Sequence, residues 1–234
     1  MKVLFAGSSL HGSQIDLRGL DVRPPAKRGD LLKAVREGAE AVGLIDGEFG
    51  QNAVVQHKEI LFALDRGVAV FGSSSMGALR AAECASFGMI PIGVIASAYL
   101  DGSLDDDAAV ALLMAPAELG SFPMSEPLVD AEATLEKLRV LCIIDEVDHC
   151  RLIARARALH FSDRTDDALF ANSEIGLLER YRIHHISQKQ LDAELLVKTI
   201  RTFHPQKGRQ GPTFTLADSP YWRSEFREAG LSLP

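Results

Sequence analysis

Basic residues are in deficit in this sequence: 25 Lys and Arg stand against 32 Asp and Glu, a formal net charge of −7. Sequence-independent binding to nucleic acid needs clustered Lys and Arg to displace counterions from phosphates, so the balance argues against that class of function. Long apolar runs are missing too. The first, in MKVLFAGSSLHGSQIDLRG, breaks at Gly7 and Ser8, far short of a secretory h-region or of the roughly 20 residues of a membrane span. It reads as a buried first strand, and no membrane partner is expected. Cysteine is limited to Cys84, Cys142 and Cys150. An odd number without a C-x-x-C pair suits reduced thiols in a cytoplasmic protein better than a disulfide framework or a zinc knuckle. Cys84 and Cys142 fall in apolar helical patterns and are expected to pack inside.

What is present is ordinary globular composition, 47% hydrophobic and 24% charged, so folding is the default. Short apolar runs at 1–6, 41–45 and 68–71 read as strands, and amphipathic stretches at 29–38, 52–66 and 75–87 as helices. Gly38, Gly67 and Gly88 follow the helical stretches, where a left-handed residue commonly stops a helix. Apolar runs alternating with such helices predict βαβ units and a Rossmann-like open, mainly parallel sheet, an α/β fold. Short runs at Val110–Met114 and Phe122–Ser125, joined by a connector with Pro and Gly, predict an edge hairpin appended to that sheet. After Pro127 apolar spacing near 3.6 predicts a helical subdomain. The expected organisation is an α/β core over 1–126, helices over 127–204 and an irregular tail over 205–234.

The stretch VAVFGSSSMGALRAAECASFGM runs a strand through a serine-rich turn into a helix. Small residues at Ser73, Gly77 and Ala78 surround Ser75, the spacing of a nucleophile on a sharp strand-to-helix bend. Such a bend pushes its central side chain out at the carboxyl edge of the sheet, beside free helix-start N–H groups that stabilise an oxyanion. Two other readings stand level with this one: the serines cap the helix, or the helix start cradles an anion with Arg80 adding charge. Ser74, Met76 and Gly77 would border whatever binds there. A serine nucleophile needs a base, and HKEIL offers His57 or Lys58, with Glu59 to orient either one; an exposed polar helix start is the plainer explanation. Asp46 ends the strand AVGLID at the edge where doubly wound folds bind ligands, with Gly47 and Phe49 in the same loop; it would orient a base, hold a partner amine or cap a helix. Ser8 and Ser9 follow the first strand and open at the same edge as donors for an anionic group. Arg80 and Glu83 lie three apart on one helical face, as a salt bridge that places Arg80 over the site or as an ordinary surface pair.

FGSSSMGALRAAE followed by FGM, with DGEF and HKEIL upstream, DGSLDDD downstream and HFSDRT further on, resembles the signature of the TfuA-like family. The resemblance runs in order through roughly residues 1 to 200. It implies a partner role beside YcaO enzymes, which use ATP to activate a backbone amide so that sulfide replaces its oxygen. By resemblance, the chain would take a thiocarboxylated ThiS-like sulfur carrier protein, release its sulfide by hydrolysis and support backbone thioamidation, with Ser75 attacking. A binding module that recruits or activates YcaO without breaking a bond is the alternative. No cofactor is expected. Asp105, Asp106 and Asp107 lack the spacing of a calcium loop and read as a solvated helix start. His184 and His185 are adjacent and diverge, so no metal is expected there. Arg164 in HFSDRT is a candidate anchor between the two halves or a partner contact.

Overall fold

The computed structural model describes residues 1–48, 54–115, 122–171, 173–204 and 214–230. The chain divides into two compact units, Met1–Asp105 with Gln190–Pro234, and Asp106–Lys189. In the first unit the elements run β1 (Lys2–Phe5), β2 (Asp21–Arg23), α1 (Asp30–Arg36), β3 (Ala41–Leu44), α2 (His57–Asp65), β4 (Ala69–Ser73), α3 (Met76–Cys84), β5 (Ile90–Ile92) and α4 (Val94–Asp101). The strands form a five-stranded sheet in the order β2-β1-β3-β4-β5, and every pairing is parallel. The fold is therefore the expected open α/β arrangement, with its topological switch point between β1 and β3.

Alternation along the strands explains the two layers. Val3, Phe5, Val42, Leu44 and Val70 face one side and pack with Leu31 and Ala34 of α1, Ile60 and Ala63 of α2, and Ala81 of α3. Leu4, Ala41, Ile45, Ala69 and Phe71 face the other, against Ala193, Leu196, Val197 and Ile200. Those four belong to α9 (Gln188–Thr202), an element 115 positions beyond the end of β4 at its first residue. Strands buried on both faces read as continuous apolar runs, which is what parallel sheets require. Because α9 completes this layer, residues 190–204 group with the sheet and not with the helical half where the sequence pattern had put them.

Three further expectations are corrected. The tail expected to be irregular contains α10 (Pro220–Glu228), whose Trp222 and Phe226 pack on Leu32 and Phe62; Phe62 meets Phe226 edge-on at 4.9 Å. An apolar pair spaced four apart on one helix face supplied the driving force that the missing long period hid. Among the described residues the expected hairpin shows one antiparallel bridge, Met114 to Pro123, in the second unit and not an edge of the five-stranded sheet; residues 116–121 of its connector, and Phe49, lie outside the described residues. Cys84 is buried and burial pushes its thiol up to about 11, but Cys142 is exposed, in a left-handed conformation with φ of 55° just past a helix end.

The second unit carries α5 (Leu128–Val140), α6 (Glu146–Ala158), α7 (Asp166–Phe170) and α8 (Leu177–Ile183). Arg164 is buried here and donates to the carbonyls of Ala156, Glu126 and Leu159 at 3.0–3.1 Å. All three acceptors lie in the helical unit, so the side chain ties the end of α6 to the segment that precedes α5. Asp130 on α5 is buried and accepts from the Lys189 amide and the Ser187 hydroxyl, both at 2.9 Å. Burial raises its carboxyl to about 6 despite the bond and charge from Lys189. The folded unit therefore holds the proton more tightly than the unfolded chain. Its contribution is full below the unfolded value near about 4 and is lost as pH rises through about 6. An Asp130→Asn variant keeps the shape without the buried charge, its amide oxygen accepting from the Lys189 amide and its NH2 donating to the Ser187 hydroxyl oxygen. It is expected to melt higher than the parent at pH 7, by the equivalent of about 1–3 kcal/mol, and to flatten the slope of stability between about pH 4 and 6. Melting curves of both proteins across that range check this, and an unchanged slope refutes it.

Candidate functional site

The loops after β1, β3 and β4 open at the carboxyl edge of the sheet, beside the switch point where doubly wound folds place their ligands. Each brings one side chain to a shared hydrogen-bonded chain. Ser74, after β4, donates to Ser9 Oγ at 2.8 Å. Ser9, after β1, donates to Asp46 Oδ1 at 2.7 Å. Asp46, after β3, is fixed in turn by the backbone amides of Gly7 and Ser9 on Oδ2, at 2.7 and 3.1 Å. The order of donors sets the direction in which a proton can pass, from Ser74 through Ser9 to the carboxylate.

The backbone singles out Ser74. Its φ is +66°, the left-handed region that a side chain other than Gly, Asn or Asp seldom enters and that stores on the order of 1 kcal/mol or more of strain. Strained residues of this kind concentrate where a side chain must be held out of an ordinary path. Ser75, the residue favoured by spacing, sits one position on as the residue preceding α3, with φ −113° and ψ −125°, and its side chain makes no capping bond. Ser73 points the other way and donates to the Asp192 carbonyl at 2.9 Å. Two of the serines therefore diverge, Ser73 into the α9 layer and Ser74 toward Ser9 and Asp46.

The steric reason offered for small neighbours is visible in two glycines. A Cβ on Gly77 would lie 1.8 Å from the Leu44 carbonyl oxygen, and one on Gly72 would lie 2.1 Å from the Gly77 carbonyl oxygen. Helix α3 rests directly on strand backbone, and Met76 beside it is buried under Gly47. The same closeness alters the expected row of free amides. The N–H groups of Ser75, Gly77 and Ala78 are taken by the carbonyls of Ser73, Ile45 and Ser75.

Openness is corrected as well. Ser74, Ser75, Ser9 and Asp46 are 0, 3, 3 and 4% exposed, so the expected projection of Ser75 into an open pocket is not found. Ser8, only partly buried beside Ser9, contributes its carbonyl to the turn, accepting from the His11 amide. The proposed bases are engaged elsewhere. His57 Nε2 lies 2.8 Å from Glu83 Oε2, and Lys58 donates to the Ala217 carbonyl at 2.8 Å with its ammonium over the Trp222 ring. Glu59 is buried and accepts from the amides of Gln56 and Gly29 at 3.2 and 2.8 Å, which makes it a cap for α2. Arg80 donates to the Val55 carbonyl at 3.0 Å and to Glu83 at 2.5 Å. Burial pushes the Glu83 carboxyl up, and the bonds from His57 and Arg80 outweigh it and hold the group below its usual value. Arg80, Glu83 and His57 form one cluster on the outer side of α3, and no hydrogen bond joins it to the serine turn among the described residues.

The sequence carries no signal of which residue of Ser73–Ser75 takes the positive φ, because the three side chains are identical. It also keeps Ser9 and Asp46 apart, although both end strands that neighbour each other in the sheet. Among the described residues no helix is long and apolar enough to cross a membrane. No curated protein matches the chain. A model of the TfuA-like protein family matches residues 46–165, a narrower span than the motifs suggested and still more than half of the 234 residues. It begins at Asp46 and takes in the serine turn, the His57 cluster and Arg164. The chain belongs to the TfuA-like family.

Proposed function

We propose that this protein is the accessory, sulfur-delivering partner of a YcaO enzyme, and that it hydrolyses a thiocarboxylated ThiS-like carrier protein with a serine of the Ser73–Ser75 turn as nucleophile. Family membership is consistent with the accessory role. The observation that supports the chemistry is the buried Ser74–Ser9–Asp46 chain at the switch point, because a serine nucleophile needs a path for its proton. Ser74 Oγ bonds the acyl carbon, its proton passes to Ser9, and the Ser9 proton passes to Asp46. The carbon–sulfur bond then breaks and sulfide leaves as HS⁻, taking up through Ser9 the proton that Asp46 had received; water attacks the acyl carbon, gives one proton back to Ser74 Oγ and releases the carrier as its carboxylate with a second proton. Ser75, the choice from sequence spacing, is the neighbouring hydroxyl against which this assignment is tested. Lys58 and His57 serve in this reading to hold α2 and α3 to their neighbours.

A second reading has an observation of its own. Ser74 and Ser75 are buried and the amides of Ser75, Gly77 and Ala78 are occupied, which favours a binding module that recruits or activates YcaO. Two measurements separate the readings. Purified protein incubated with the thiocarboxylated carrier is expected to release sulfide and to convert the carrier to its carboxylate mass. In a YcaO assay supplied with free sulfide, the protein is expected to add no stimulation if sulfide release is its whole contribution. No turnover in the first assay together with stimulation in the second removes the hydrolase reading.

A further inference from the structure

We propose that Glu146, His149 and Cys150 on α6 form a binding site for a zinc-class divalent metal ion, with Glu136 of α5 orienting the histidine. Nothing in the serine chemistry depends on it, and it departs from the expectation of no metal drawn from the sequence.

Glu146 has His149 three and Cys150 four positions on, both neighbours across the next turn, and although those two are adjacent their ligand atoms converge with its carboxylate. One ligand atom from each lies within 4.8 Å of the other two. Cys150 Sγ is 3.8 Å from Glu146 Oε1. A tetrahedral ion with bonds of about 2.0–2.3 Å separates its ligands by roughly 3.3–3.8 Å, so the group closes on an ion with small side-chain rotations.

The second observation is independent of spacing. Both ring nitrogens of His149 are shielded from solvent and neither has a hydrogen-bond partner. Nε2 lies 3.4 Å from Glu136 Oε2, close enough for electrostatic contact but outside hydrogen-bond geometry. A shielded, unpaired ring nitrogen is destabilising unless something binds it. A metal ion satisfies one nitrogen, and Glu136 then draws the hydrogen of the other, the carboxylate–histidine arrangement that fixes ligand rings in metal sites. Arg139 bonds Glu136 at 2.6 and 2.9 Å and reaches Glu146 Oε2 at 3.4 Å. It holds both carboxylates in place and leaves Glu146 Oε1 turned to Cys150.

The donor set names the ion. A thiolate with an imidazole and one carboxylate suits zinc, whereas magnesium and calcium prefer oxygen donors throughout. Three protein ligands leave a fourth position for water.

Cobalt(II) is the probe, since a thiolate ligand gives it a sulfur-to-metal charge-transfer absorption. Titration of the metal-free full-length chain is expected to produce that band at one equivalent, and zinc is expected to abolish it. Cys150→Ser should lose the band, and Cys142→Ser, altering another exposed thiol of the same unit, should keep it. Glu136→Gln, which removes only the orienting carboxylate, should weaken binding about 10- to 100-fold while the band remains. Circular dichroism checks that each variant is folded. The proposal is overturned by a parent protein that gives no band, or by a band that survives in Cys150→Ser.

Discussion

Gly77→Ala is expected to unfold the first unit or to lower its stability by at least about 4 kcal/mol. Two effects of opposite sign act at this position. Alanine is the better helix former by about 1 kcal/mol, and the residue lies inside α3. Against that, the new methyl would sit 1.8 Å from the Leu44 carbonyl oxygen, and the obstacle is strand backbone, which no rotamer change relieves. Backing α3 away from the sheet would break the Gly77 amide bond to the Ile45 carbonyl, 3.1 Å long, and uncover Ala81 in the core below. The collision therefore decides the sign. Denaturant titration of parent and variant measures it, and a variant within about 1 kcal/mol of the parent shows that the close approach of helix to strand is wrong.

Ser74→Gly is expected to end sulfide release from the thiocarboxylated carrier, a loss of roughly 10³-fold or more as for removal of a serine nucleophile, while the protein keeps its fold. Glycine occupies a φ of +66° without the penalty that serine meets there. That relief offsets the loss of one hydrogen bond to Ser9, typically about 1 kcal/mol. Activity and stability are thereby separated in one substitution, which an alanine would not achieve at this backbone angle. Ser75→Ala should retain most of the turnover, and Asp46→Asn should lose much of it by removing the final proton acceptor. Full turnover in Ser74→Gly, with loss in Ser75→Ala, would return the nucleophile to Ser75.

Much of the fold was legible because burial on both faces forces apolar runs. Residues 41–45 and 68–71 gave β3 and the start of β4, and Gly38 and Gly67 marked stops at φ of 87° and 77°. Two strands were not legible. Asp21–Arg23 has one apolar residue, and Ile90–Ile92 has a proline at its centre; each lies at an edge of the sheet, where pairing on one side suffices. The region of the site was legible from the turn, but its internal wiring was not. Ser9, Asp46 and Ser74 are 37 and 28 positions apart in sequence, and only the parallel pairing of β1, β3 and β4 brings their ends together. The HKEIL motif misled for a related reason: His57 and Lys58 are engaged by Glu83 and the Ala217 carbonyl, partners that no local pattern announces.

The layering of the sheet also bears on how the chain matures during translation. Leu4, Ala41, Ile45, Ala69 and Phe71 receive their helical cover from α9, so a nascent polypeptide that has emerged only as far as β5 has this apolar face covered only in part, by the segment that holds Leu10, Ile15, Leu17 and Leu20. Some hundred residues of further synthesis separate the two events, on the order of 5–20 s at ordinary elongation rates. During that interval the half-built sheet is a natural client for chaperones that shield hydrophobic faces.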